Sequence, residues 1–177
     1  GEAEGLLFGI CTDTGFFRHL AAGKGDTLKA AGELNDCGAS LTEVHKKIYG
    51  NRDFSARIFL SRTLERTRTL EGGAILITYE TLQDKEELGV ENRDSDTLYQ
   101  LLQGTRGCKL AALIREEEEQ ESFSVSLRAA DNLDVGEIAR QAGGGGHRLD
   151  AGFQTTGTRE AVIKRVAKML KMLLRAR

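Results

Sequence analysis

From Ser122 to Arg128 the chain alternates without a break. Phe123, Val125 and Leu127 are apolar, and Ser122, Ser124, Ser126 and Arg128 are polar. A period of two suits a strand with one buried face and one polar face. Just upstream, residues 110–114 form a compact apolar run, and the acidic stretch 116–121 separates the two. The pair is therefore expected to be a hairpin with a solvated tip. Helical patterns surround it, over residues 24–34, 41–49, 54–70, 95–103, 134–141 and 158–174. Two further apolar runs, 6–11 and 74–79, are expected as buried strands. Asp134 and Glu137 have capping-box spacing, and Val162, Val166, Met169, Leu170 and Leu173 form one stripe on the last helix. Strands alternating with helices, plus one hairpin, give the fold class: α/β with a mixed sheet.

A length of 177 residues fits one domain or slightly more. The chain is 40% hydrophobic and 29% charged, which excludes disorder throughout. No apolar run approaches the roughly 18 residues of a membrane helix, and no charged-then-apolar leader opens the chain. A net charge of -2 removes the simplest argument for a duplex DNA binder. The basic excess within residues 159–177 reads as a solvated helix face. Cys11, Cys37 and Cys108 are widely spaced and odd in number, which argues for reduced thiols in a cytoplasmic protein. Proline is absent while glycine numbers 21, so Gly, Asn and Asp must carry the turns.

Two places carry candidate chemistry. The first is Thr12-Asp13-Thr14-Gly15, at the end of the expected strand 6–11. Asp13 is a hard oxygen ligand that suits magnesium or manganese, with Thr12 and Thr14 as orienting groups, although one carboxylate does not make a metal site. The second is Gly143-Gly144-Gly145-Gly146-His147. Consecutive glycines let backbone N–H groups converge on an anion and let a phosphate or base approach closely. The run is neither a Walker loop nor a Rossmann fingerprint. Arg128, on the polar strand face with Ser126, adds a guanidinium shaped for a pair of phosphate oxygens.

The segments Ser124-Val125-Ser126-Leu127-Arg128, Asp134-Val135, Ile138-Ala139, Gly143 to His147 and Ala151-Gly152-Phe153 resemble the DHHA1 domain. The segment from Gly9 to Arg18, around Thr12-Asp13-Thr14-Gly15, resembles the last metal motif of the DHH domain that precedes it. Together they are similar to the DHH/DHHA1 phosphoesterases, in particular the oligoribonucleases that also dephosphorylate pAp. The resemblance implies a division into a DHH remnant (1–40), a helical linker (41–72) and a substrate-binding DHHA1 domain (73–177). It implies manganese-dependent release of 5′-mononucleotides from short RNA, with pAp as a second substrate. On that resemblance Asp13 ligates manganese. Ser126, Arg128, Gly143, Gly144, Gly145, Gly146 and His147 hold the substrate.

The sequence lacks an Asp-His-His triplet and begins with Gly1. It is therefore expected to be the C-terminal part of a longer enzyme, missing the upstream DHH domain, inactive alone and not binding manganese by itself. Asp150 stands where the family has a small or amide residue, and a carboxylate there repels phosphate. Alternatives remain: a non-catalytic nucleotide or nucleic-acid binder, the DHHA1 domain of a single-strand exonuclease, or a dimerisation module using Phe54, Ile58 and Phe59. An unpartnered strand at 6–11 exposes its edges. Residues 1–40 are then expected to pair with a second copy, giving a homodimer, or to be poorly ordered.

Overall fold

The computed structural model describes residues 1–90, 93–130 and 133–176. Arg177, counted above in the basic helix, lies outside them. The chain divides into two compact units, Gly1–Asp53 and Phe54–Arg177.

The first unit is helical: α1 (Glu2–Asp13), α2 (Gly25–Asp36) and α3 (Leu41–Tyr49). The expected strand 6–11 is thus corrected to the middle of a helix. The run Leu6-Leu7-Phe8 is apolar at every position and hides the period. The buried residues are Leu7 and Cys11, four apart, with Ala3 packed one turn earlier. Leu6 and Phe8 stay exposed. The core of the unit adds Ala31, Ala39 and Val44, and Ser40 caps α3 by accepting from the Glu43 N–H at 3.2 Å. With no strand there is no unpaired strand edge, so the ground for expecting self-association of residues 1–40 falls away.

The second unit contains α4 (Phe54–Glu65), β1 (Arg68–Leu70), β2 (Ile75–Glu80), α5 (Leu82–Glu87), α6 (Ser95–Gln103), β3 (Leu110–Glu116), β4 (Ser122–Ala129), α7 (Val135–Gln141), β5 (Gly145–Gly146), β6 (Asp150–Thr156) and α8 (Arg159–Arg175). The six strands form one sheet in the order β1-β2-β3-β4-β6-β5. Only β2 and β3 are parallel, and α5 and α6 fill that crossover. The mixed α/β fold and the β3–β4 hairpin are as the alternation requires. The helix expected over 54–70 ends early. Glu71, Gly72 and Gly73 all have positive φ, and this sharp turn folds residues 68–70 back against β2 as an edge strand.

The sheet has two unlike faces. One is apolar: Ile75 and Ile77, Leu110, Ala112 and Ile114, Phe123, Val125 and Leu127, Ala151 and Phe153. Helices α7 and α8 cover it with Val135, Ile138, Val162, Val166 and Leu170. On the opposite face, Leu76, Ala111 and Leu113 pack under Leu98, Tyr99 and Leu102 of α6, with Leu60 and Leu64 of α4 beside them. Toward β4 and β6 this second face turns polar, with Ser124, Ser126, Arg128, Gly152 and Gln154 half-buried or exposed.

Candidate ligand-binding site

Arg128 sits at the end of β4, directly across from Asp150 of β6. Its guanidinium lies over the Tyr99 ring, 4.2 Å from the centroid. Its Nη1 donates to the Leu127 carbonyl at 3.1 Å and pairs with the Asp150 carboxylate. Among the described residues Nε and Nη2 take no partner, so one edge of the fork remains for a ligand. Tyr99 is fixed in turn. It is buried, and its hydroxyl donates to the Ser126 carbonyl at 3.2 Å. Burial pushes its phenol up to about 12, so at neutral pH it is an uncharged platform for the cation.

A second guanidinium lies two rows along. Arg115 reaches the Ser126 hydroxyl at 3.4 Å and the Ser95 hydroxyl at 2.8 Å. Its Nε donates to Glu80 at 3.2 Å. Glu80 is buried, and Arg93 Nε stands 3.4 Å from the same carboxylate. Burial raises the Glu80 carboxyl, against the lowering pull of Arg115 and Arg93. The lone pair of arginines around one buried acid steadies the β2–β3 end of the polar face.

The glycine run lines the far edge of that face. Three of the four glycines are demanded by the fold. Gly143 has φ +82 and Gly146 φ +136, both unfavourable for L side chains. A Cβ on Gly144 would lie 2.1 Å from the Gly152 carbonyl oxygen, and one on Gly146 would lie 2.5 Å from Ala151 Cα. Gly145 has no such reason, since a Cβ there meets nothing within 4 Å. It pairs with Gly152, which itself pairs with Ser126, so Ser126, Gly152 and Gly145 form one row across the sheet. Asp150, Arg128 and Ser126 occupy neighbouring rows of the same face. The backbone of His147 is set by its N–H, which donates to the Asp150 carbonyl at 2.7 Å, and by Gly136, whose missing Cβ makes room for the His147 carbonyl. The imidazole is exposed.

The sequence-predicted residues therefore fall into two groups. Ser126, Arg128 and the segment from Gly143 to His147 come together on and beside one sheet face. Asp13 belongs to the other unit and lies exposed at the end of α1. Thr12 and Thr14 donate back to the Phe8 and Ile10 carbonyls at 3.0 and 2.7 Å, so neither orients Asp13. After it, Gly15, Phe16 and Phe17 all have positive φ. The two phenylalanines pay about 1–2 kcal/mol each for that conformation. Edge-to-face contacts of Phe16 with His45 at 5.1 Å and with Tyr49 at 6.2 Å offset part of it. Among the described residues no group of three or more His, Cys, Asp or Glu is placed to hold a metal ion. Asp13 alone does not fit manganese.

Sequence reasoning missed Tyr99, Arg115 and Glu80. Tyr99 stands beside Leu98 on the apolar side of an amphipathic helix and reads there as core. Arg115 and Glu80 stand directly after apolar runs. The polar ends of two adjacent strands on one face were the available signal.

The DHHA1 domain model matches residues 72–176. The chain belongs to the DHHA1 domain family. An exopolyphosphatase-related protein from Bacteroides fragilis is similar in structure over 96% of this chain and 49% of its own, with a TM-score of 0.86 at 20% identity. A pGpG-specific phosphodiesterase from Vibrio cholerae is similar over 86% of this chain and 51% of its own, with a TM-score of 0.51 at 12% identity. At these identities the likeness concerns the fold. The chain spans about half the length of both structures. Among the described residues no helix is long and apolar enough to cross a membrane.

Proposed function

We propose that this chain is the substrate-gripping part of a cytoplasmic phosphoesterase. The parent enzyme would hydrolyse short oligoribonucleotides to 5′-mononucleotides and, as a second activity, pAp to AMP. The observation that carries this reading is the held Arg128 fork, with one free edge, on the same sheet face as the adjacent Ser126–Gly152–Gly145 row. A phosphate oxygen pair matches that edge. Gly145, whose missing side chain no packing requires, lets a sugar or base lie close to the strand. His147 adds an exposed donor at the rim. On this proposal residues 1–40 belong to a DHH domain, 41–72 link it to the DHHA1 domain of 73–177, and Asp13 contributes one of several manganese ligands. A lone carboxylate leaves this chain without hydrolytic activity.

The test is calorimetric titration of the 177-residue chain with pApA and with pAp, with and without manganese, alongside a turnover assay. Binding independent of manganese, lost in Arg128→Ala and without turnover, is the expected result. Equal binding by wild type and Arg128→Ala would refute the reading. The alternative of a nucleotide-binding module without chemistry predicts the same binding, and is separated from it by whether the parent enzyme turns over.

A further inference from the structure

The Arg128–Asp150 pair decides what charge the site accepts. This inference rests on the phosphate-binding reading of Arg128 and narrows its ligand. The two residues face each other across β4 and β6, so the pairing is set by sheet register and not by a wandering surface side chain. Arg128 is about three-quarters buried on its side chain while Asp150 is more than half exposed. The cation is therefore the held partner, pinned by the Tyr99 ring and the Leu127 carbonyl. Arg115 shares buried Glu80 with Arg93, so Asp150 is the carboxylate paired with Arg128 itself. A ligand phosphate on the Nε–Nη2 edge thus meets a cation whose charge is already shared with a carboxylate.

We propose that Asp150 is a specificity-determining residue: it lowers the preference the Arg128 site would otherwise have for a doubly charged terminal phosphate over a singly charged phosphodiester. One guanidinium and a hydrogen bond of about 2.8 Å on either side separate an anion on the free edge of the fork from the Asp150 carboxylate, a charge separation of about 6 Å. At effective dielectrics of about 20 to 80, each additional negative charge on the ligand then weakens binding roughly 3- to 100-fold, about tenfold midway. The arginine attracts the same extra charge, so the carboxylate cancels the advantage a dianion would otherwise have. The internucleotide phosphate of a short RNA is a singly charged diester, whereas pAp offers only terminal monoester phosphates. The site thereby loses its discrimination against the diester.

The test compares adenosine 5′-phosphate with its phosphate methyl ester, which differ chiefly by one charge at neutral pH. NMR titrations at low salt give both dissociation constants for the wild type, Asp150→Asn, Asp150→Ser and Arg128→Ala. The expected result is that both Asp150 variants improve binding of the dianion about tenfold more than binding of the monoanion, with Arg128→Ala weakening both. Two variants guard against a local fault in either one. If binding depends on Arg128 but the ratio of the two constants is the same in wild type and both Asp150 variants, this inference is wrong and the binding-site reading stands. If wild type and Arg128→Ala bind both probes alike, the reading and the inference fall together.

Discussion

Replacing the glycines one at a time separates fold from function within a single loop. Gly144→Ala puts a Cβ 2.1 Å from the Gly152 carbonyl oxygen and 2.5 Å from Phe153 Cβ. Both obstacles are fixed, one being backbone and the other the base of a buried core residue, so strand β5 must leave β6. Overpacking of this kind costs about 1–3 kcal/mol. For a unit of about 120 residues, 1 kcal/mol is worth about 4 °C in Tm, so a fall of about 4–12 °C is expected. Gly145→Ala meets nothing within 4 Å and needs no positive φ. It restricts the unfolded chain and should raise stability by about 0.4–1 kcal/mol, or about 2–4 °C. Its methyl group projects over the row where a ligand must lie, so binding of pApA should weaken at least tenfold. Thermal melts followed by circular dichroism, with titrations on the same samples, measure both. A Gly145→Ala protein as destabilised as Gly144→Ala, or one that is more stable and binds normally, would refute the division of the loop into structural glycines and one functional glycine.

Other substitutions probe the supports of the site. Arg128→Lys keeps the charge but loses the planar fork and most of its stacking, and calorimetry should show pApA binding weakened at least tenfold with Tm moved by only a few degrees. Tyr99→Phe keeps the ring under Arg128 and removes the bond to the Ser126 carbonyl, which should cost about 1 kcal/mol in urea unfolding and little in binding; Tyr99→Leu should cost both. Glu80→Gln leaves Arg115 and Arg93 facing a neutral amide in a buried setting, and a loss of about 3 kcal/mol in urea unfolding is expected. Asp84 bears on pH. Hydrogen bonding from Arg66 first, then from Thr81 and Arg62, holds its carboxyl well below the usual range against some desolvation. Its folded value lies below its unfolded one, so its contribution is complete above about pH 4 and is lost as pH falls through the lowered folded value. Acid melts of Asp84→Asn should therefore fall less steeply below pH 4 than those of the wild type; equal slopes would remove Asp84 from the account.

The parts legible in sequence are those where one physical signal dominates. The period of two in β4 is unambiguous because its inward residues are large and its outward ones are serines. The stripe of α8 is clear for the same reason, since Val162, Val166 and Leu170 recur every four residues and all are buried. In α1 the signal is masked. Leu6 and Phe8 flank Leu7 and make the stretch look apolar on both sides, as in a buried strand, although only every fourth residue enters the core. The break between α4 and β1 depends on the positive φ of Glu71, which nothing in a glutamate announces. Helix α5 escaped notice because its six residues are mostly polar and it is held by ion pairs, Asp84 to Arg62 and Arg66, rather than by an apolar face.

The same contrast explains why the site was only half visible. Arg128, Ser126 and the glycines announce themselves locally, through alternation and through a run no ordinary connector needs. What turns them into a site is register. Arg128 meets Asp150 because β4 pairs with β6 and not with β5, the next strand in sequence. Ser126 meets Gly145 only through Gly152 between them. Tyr99 reaches Arg128 because α6 crosses the same face from a connection between two parallel strands. Each of these juxtapositions joins residues more than 15 positions apart, and none leaves a mark at either end of the sequence that it joins. The electrostatic character of the site, a cation shared with a carboxylate, is therefore a property of strand pairing. A one-residue slip of β6 against β4 would turn Asp150 to the apolar face and leave Arg128 unneutralised. The selectivity for charge is then as robust as the sheet itself, and it changes only when residue 150 does.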